Sequence, residues 1–192
     1  MQQENKKAFW YPPGGILLWI IILVELVTFA AGLTIFSIQR RANLELFQSS
    51  GQLLLQKIAL INTIILITGG YFMAMSVNSL KRADSQKSAV WTLAAIATGI
   101  GFLLLKSYEY YQKLEHGISL DYNLFFTFYW LLTGFHFLHV LIATLILLGI
   151  YFNIKAGKYS ANNLLDVESS AAFWHMCDLV WLMLFAVIYL LN

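Results

Sequence analysis

The chain is short of two things that most soluble proteins have in supply: charge and cysteine. Only 11% of its 192 residues are Asp, Glu, Lys or Arg, where a soluble domain has nearer a quarter. With 59% hydrophobic residues and a mean hydropathy of +0.69, it cannot be arranged around one water-soluble core without exposing large apolar surface. The single cysteine, Cys177, excludes an intrachain disulfide. No P-loop, Rossmann glycine fingerprint, CxxC metal site, internal repeat or low-complexity tract is present. The net charge of +2 is too small to attract nucleic acid. What remains is the composition of an integral membrane protein.

Long apolar runs fill the space that charge leaves. Five are long enough to cross a bilayer, which takes about 20 helical residues. They lie near 16–37, 58–79, 89–105, 125–150 and 171–191. The stretches between them ("QRRANLELFQSSGQ", "LKRADSQKS", "EYYQKLEHGISLDYN", "NIKAGKYSANNLLDVESS") are polar and rich in Gly, Ser and Asn, and read as loops. None is long enough for a separate domain. Apolar character is continuous, without the period of two that a barrel strand needs, so the spans are helices. The expected fold is all-α: one transmembrane domain over 1–192, a bundle of five helices. The first run is too long for the core of a cleaved signal, and Glu25 interrupts it, so it reads as retained.

The basic residues set the expected orientation. With the N-terminus inside, the inner side holds Lys6, Lys7, Lys81, Arg82, Lys87, Lys155 and Lys158, seven in all. The outer side holds Arg40, Arg41, Lys57, Lys106 and Lys113, which is five. The bias favours N-terminus inside and C-terminus outside.

Ionisable side chains within the spans are expensive and therefore informative. Glu25 lies near the middle of the first span, with Thr28 and Gly32 following on roughly the same face, which reads as a packed face. Asn62, Gly69 and Ser76 form a heptad-spaced stripe on the second, read as close packing through small residues. The fourth span carries His136 and His139, and the fifth carries His175 and Asp178, each pair three residues apart and so on one side of its helix. At about 1.5 Å per residue, Glu25, His139 and Asp178 fall at similar depth, roughly 10–15 Å from the inner boundary. Four uses fit such groups: haem ligation by His136 or His139 with His175, a carboxylate–histidine metal site, a proton path, or a polar cleft holding lipid headgroups and fixing helix register. No Glu-x-x-His pair of the di-metal kind is present.

Two stretches carry a family resemblance. "TGFHFLHVLIA" resembles the TGFHGxHVxxG motif of subunit III of haem–copper oxidases, and "ESSAAFWHMCDLVWLMLF" resembles that family's E-x-x-x-x-YWHFVDxVWLFLF signature. "IIILVELVTF", "NTIILITGGYFMAMSV" and "GIGFLLLKSYEYY" resemble further family stretches in the family's order, the last of them its GxxFLxxQxxEY. The chain matches the five-helix form, which lacks the two helices that open longer members.

The resemblance implies that Glu25 is the family's buried carboxylate. It assigns His136 and His139 to the TGFH-x-x-H pair, and Glu168, Trp174, His175, Asp178 and Trp181 to the terminal signature. Phe137 stands where the motif has glycine, Met176 and Cys177 stand for Phe and Val, and Lys106 stands for the glutamine. It further implies a subunit of a cytochrome c oxidase complex in a bacterial or mitochondrial inner membrane, carrying no catalytic or metal residues of its own. Haem and copper belong to partner subunits. Phospholipid is held in a cleft between helices, oxidase subunit I is the packing partner, and proton uptake for oxygen reduction is supported. The four histidines, with His116 in a loop, are too few for a catalytic haem–copper subunit. An accessory subunit of a nitric oxide reductase or quinol oxidase, which the opening "YPPGG" and short length leave open, and a small membrane haem b cytochrome are the alternatives.

Overall fold

The computed structural model describes residues 15–161 and 163–191. Lys6 and Lys7, counted among the inner cations, and nearly all of "YPPGG" lie outside the described residues. The elements in order are α1 (Ile16–Ala42), α2 (Leu44–Gly51), α3 (Gln56–Lys81), α4 (Ser85–Glu115), α5 (Leu124–Lys155) and α6 (Leu165–Leu184), which runs on as a π-helical turn over Phe185–Leu190. All but α2 are long and apolar enough to cross a membrane, and no strand forms among the described residues. The expected five-helix bundle is therefore present, with α1, α3, α4, α5 and α6 as its spans.

The helices outrun the apolar runs that announced them. α4 continues ten residues past Leu105, because Lys106 and Glu109 pair with each other inside the bundle and do not mark its edge. α5 ends at Lys155 and α6 starts at Leu165, inside what read as loop. α2 was also read as loop. It is a short helix seated by Phe47, which meets Phe36 of α1 and Phe125 of α5 edge-on, and by Ser50, which accepts from Asn123 at 2.9 Å.

Local chemistry sets the helix ends. The Asp84 side chain accepts from Lys87 N–H to cap α4, and Asn123 accepts from Phe126 N–H to cap α5. Gly117 and Gly157 close α4 and α5 with positive φ, the backbone that a left-handed cap requires. Ala83 takes the same conformation after α3, with φ 59° and the same pair of closing hydrogen bonds, Asp84 N–H to Ser79 and Ala83 N–H to Leu80.

α3 and α4 pack together most extensively, and α5 and α6 complete the core. Two members of the stripe, Gly69 and Ser76, make close contact with α4, while Asn62 is buried with both amide atoms unpartnered among the described residues. A Cβ on Gly69 would sit 2.3 Å from Thr98 Oγ1, and Ser76 Oγ meets Thr92 Oγ1 at 2.7 Å. α1 is the loosely held member. Its buried stripe is Ile22, Phe29, Leu33 and Phe36. Thr28, expected on the packed face, is exposed and turns its hydroxyl back to the Val24 carbonyl at 2.8 Å. The large apolar residues Phe29, Leu33 and Phe36 fix which face turns inward, a quarter-turn from Thr28. Most of that stripe lies in the second half of α1, so its first half stands away from the bundle and leaves a cleft on either side.

Candidate functional site

Four of the ionisable residues read as site candidates fall into two pairs on opposite sides of α6. The first joins α1 to α5: Glu25 Oε2 lies 3.2 Å from His139 Nε2, in an orientation outside hydrogen-bond alignment. His139 Nδ1 lies 2.8 Å from the Phe135 carbonyl one turn back. A carbonyl only accepts, so Nδ1 carries the hydrogen. The Glu25–His139 contact then holds one proton when the pair is neutral overall, either as carboxylic acid beside imidazole or as carboxylate beside imidazolium.

A cleft of about 520 Å³ between α1, α5 and α6 lies beside this pair, which is not among its lining residues. Leu18 and Ile21 of α1, Ile142 and Ile146 of α5 and Phe173 of α6 form its walls. Glu25 and His139 follow Ile21 and precede Ile142 by one helical turn on the same faces, and the His139 and Phe173 rings are 6.4 Å apart. The mouth is polar, where Tyr159 donates to Asp166 at 3.2 Å beside Asn153.

The second pair lies within α6. His175 Nδ1 is 3.4 Å from Asp178 Oδ2. Both lean on α3 at Gly70, where a Cβ would stand 2.3 Å from Asp178 Oδ2 and 3.2 Å from His175 Nδ1. Glycine at 70 is what gives the carboxylate its seat. His175 also lines a second cleft, of about 430 Å³, between α1, α3 and α6. At the rim of that cleft Glu168 pairs with Lys81 across the ends of α6 and α3 at 2.7 Å.

The predicted residues thus divide. Glu168 and His175 line one cleft, Glu25 and His139 lie one helical turn beyond the wall of the other, Asp178 sits against Gly70 beside His175, and His136 and Trp174 are in the core. Trp174 is fully buried between Gly69 and Gly99. His136 is fully buried against the Trp181 ring, with centroids 5.4 Å apart and planes 26° from parallel, and Phe102 and Phe29 meet it at steep angles. Its two ring nitrogens have no hydrogen-bond partner among the described residues. Of the histidines read as possible haem ligands, His136 packs in the core on Trp181, His139 faces Glu25 and His175 leans on α3 at Gly70. Among the described residues no three His, Cys, Asp or Glu side chains converge as metal ligands would.

Sequence reasoning passed over the most completely bonded polar group in the bundle. Lys106 and Glu109 of α4 are both wholly buried. Lys106 Nζ donates to Glu109 Oε2 at 3.0 Å, Tyr129 Oη at 3.3 Å and Tyr189 Oη at 2.5 Å. The two phenols in turn donate to Glu109 Oε1 at 2.8 and 2.9 Å. All three ammonium hydrogens and both carboxylate oxygens are used. The ammonium also sits 4.8–5.4 Å from the ring centroids of Tyr110, Tyr129, Trp181 and Tyr189. The available signal was "KSYEYY" itself: Lys and Glu three apart, interleaved with tyrosines, at the end of an apolar run. Lys113 is also buried and donates to the Leu53 carbonyl. Neither lysine is a free interfacial cation, so the outer count of five loses two.

Residues 48–192 match the family described as cytochrome c oxidase subunit III. The chain belongs to that family. The match takes in α3 to α6, the TGFH-x-x-H pair and the terminal signature, and it begins after α1, so Glu25 stands outside it. Among relatives, the chain is 36% identical over 132 residues to cytochrome c oxidase subunit 3 of Synechocystis sp., covering 68% of this chain and 55% of that one. It is 38% identical over 141 residues to probable cytochrome c oxidase subunit 3 of Rickettsia prowazekii, covering 70% and 48%. For cytochrome c oxidase subunit 3 of Rhipicephalus sanguineus the identity is 35% over 136 residues, covering 69% and 51%. The chain spans about half the length of these three relatives. With five membrane-crossing helices and membership of the subunit III family, it is an integral membrane protein.

Proposed function

We propose that the chain is subunit III of a respiratory haem–copper terminal oxidase of the cytochrome c oxidase type, a single transmembrane unit that carries no redox centre and packs against the catalytic subunit I. The partner subunits hold haem and copper. This chain holds a phospholipid chain in the cleft between α1, α5 and α6 and supports proton uptake by the complex. The supporting observation is the Glu25–His139 contact, one helical turn beyond Ile21 and Ile142 in the wall of that cleft. The cleft is an apolar slot with a polar mouth, and the pair one turn beyond it can hold one proton. A carboxylate at that depth is tolerable because the proton shared with His139 keeps the pair neutral.

The N-terminus faces inside in this reading. With Lys106 and Lys113 withdrawn from the count, the basic residues near the outer boundary reduce to Arg40, Arg41 and Lys57, which deepens the asymmetry. Labelling of single cysteines at Arg82 and Gly117 tests the orientation: the two are expected on opposite faces, with Arg82 inside.

The functional test is purification of the tagged chain from its own membrane. It is expected to bring the other oxidase subunits and their haem spectrum with it, and to carry phospholipid detectable by mass spectrometry. Glu25→Gln is expected to leave assembly and initial turnover intact and to speed the loss of activity during sustained turnover. Recovery of the chain free of oxidase subunits, or with a Soret band of its own, would overturn the reading.

A further inference from the structure

We infer that the cleft between α1, α3 and α6 seats a transmembrane helix of a neighbouring subunit, and that His175 donates a hydrogen bond to it in mid-membrane. The inference rests on the reading of this chain as an assembled oxidase subunit.

Depth carries the first part. Glu168 marks the rim of the cleft, and His175 lies seven residues further along α6, about 10 Å deeper at 1.5 Å per residue. Its side chain is 49% exposed there. Ionisable groups at that depth face protein or a water-filled cavity, because hydrocarbon gives them no partner.

Proton counting carries the second. His175 Nδ1 faces Asp178, whose other oxygen, Oδ1, is buried with no partner among the described residues. An anionic pair in mid-membrane is costly, so the pair holds enough protons to be neutral. A proton on the unpartnered Oδ1 would be a stranded donor, so the pair is either imidazolium beside carboxylate, or imidazole accepting from a carboxylic acid protonated on Oδ2. In both forms Nε2 carries a hydrogen, and Nε2 is on the ring edge turned away from Asp178. The pair therefore offers the cleft an N–H donor, and the occupant must bring an acceptor to that depth.

The walls decide which occupant this is. Facing Trp19 of α1, the α3 and α6 walls carry Val77, Asn78 and the small Ala74, Ala171 and Ala172. Small side chains of this kind let a second helix approach closely, and a polar side chain among them then bonds across. A phospholipid keeps its ester and phosphate oxygens near the rim, about 10 Å above His175, and its acyl chains carry no acceptor. A helix with Ser, Thr, Asn or Gln facing the cleft does. The volume of about 430 Å³ is that of a few inserted side chains, with the helix itself lying along the opening.

The test is site-specific photocrosslinking in the intact membrane, with benzoylphenylalanine at Ala74 and, separately, at Ala172. Each is expected to give a crosslink to another membrane subunit. The Ala172 crosslink is expected to fall at least fivefold in His175→Leu and to persist in His175→Gln, which keeps an N–H donor. Crosslinks to phospholipid alone, no crosslink, or an unchanged crosslink in His175→Leu would each overturn the inference. If the wild-type chain purifies without other subunits, the oxidase-subunit reading fails; if it purifies with them and these crosslinks are missing, only the helix seat fails.

Discussion

Replacing Lys106 by Met keeps the length of the side chain and removes its charge. Glu109 would retain its two phenol donors on Oε1 but lose the one partner that Oε2 has among the described residues, deep in a core where neither residue has exposed surface. Breaking one side of a buried ion pair costs about 3–5 kcal/mol, because the survivor is left uncompensated. The two retained tyrosine bonds place this case at the low end, about 3 kcal/mol, or roughly a hundredfold in the unfolding constant at 1.4 kcal/mol per decade.

Removing the whole ring is different. A fourfold variant, Lys106→Met with Glu109→Leu, Tyr129→Phe and Tyr189→Phe, leaves no orphaned donor or acceptor and nearly the same volume. Replacement of a complete buried pair by apolar groups is often neutral or stabilising. The fourfold variant is therefore expected to be more stable than the single one. The assay is unfolding by a denaturing detergent titrated into mild-detergent micelles, followed by the fluorescence of the six tryptophans. If the fourfold variant is as unstable as Lys106→Met or worse, the network is not self-contained and the reasoning is refuted.

Three further outcomes follow from single positions. Gly70→Ala would place a Cβ 2.3 Å from Asp178 Oδ2 and is expected to cost about 1–3 kcal/mol by overpacking; Gly134→Ala, with nothing within 4 Å of the added carbon, is expected to be neutral or stabilising, and thermal melts of the two compare them directly. Ala83→Gly relieves a left-handed residue after α3 and is expected to add about 0.5–1 kcal/mol after the entropy of glycine is set against the relief, with Ala83→Val lowering the melting temperature instead. Hydrogen bonds from the Lys87 side chain and backbone hold the Asp84 carboxyl below its ordinary 3.8, so its cap is present in full above that value and is lost as pH falls through the lowered folded value; Asp84→Ala is expected to destabilise α4 at neutral pH and to flatten the acid limb of a pH-stability curve.

Much of this protein was legible in the order of its residues. A helix in lipid must satisfy its own backbone and be about 20 residues long, so five apolar runs meant five spans, and a carboxylate or histidine within one announced a polar site. The three-residue spacing of His175 and Asp178 guaranteed that they would face one side. What the sequence left open was which side. Glu25, His139 and Asp178 stand at similar depth, which invited a single cleft, yet depth says nothing about rotation. The direction each helix turns is settled by its bulkiest contacts: Phe29, Leu33 and Phe36 on α1, and Trp174 and Trp181 on α6. Those rotations send His139 toward Glu25, bury His136 on Trp181 and turn His175 outward. The Lys106–Glu109 ring needed the tertiary structure most of all. Two of its four members come from other helices, Tyr129 on α5 and Tyr189 in the π-helical turn after α6, and only their arrival makes a lysine at the end of an apolar run an interior residue and not a boundary.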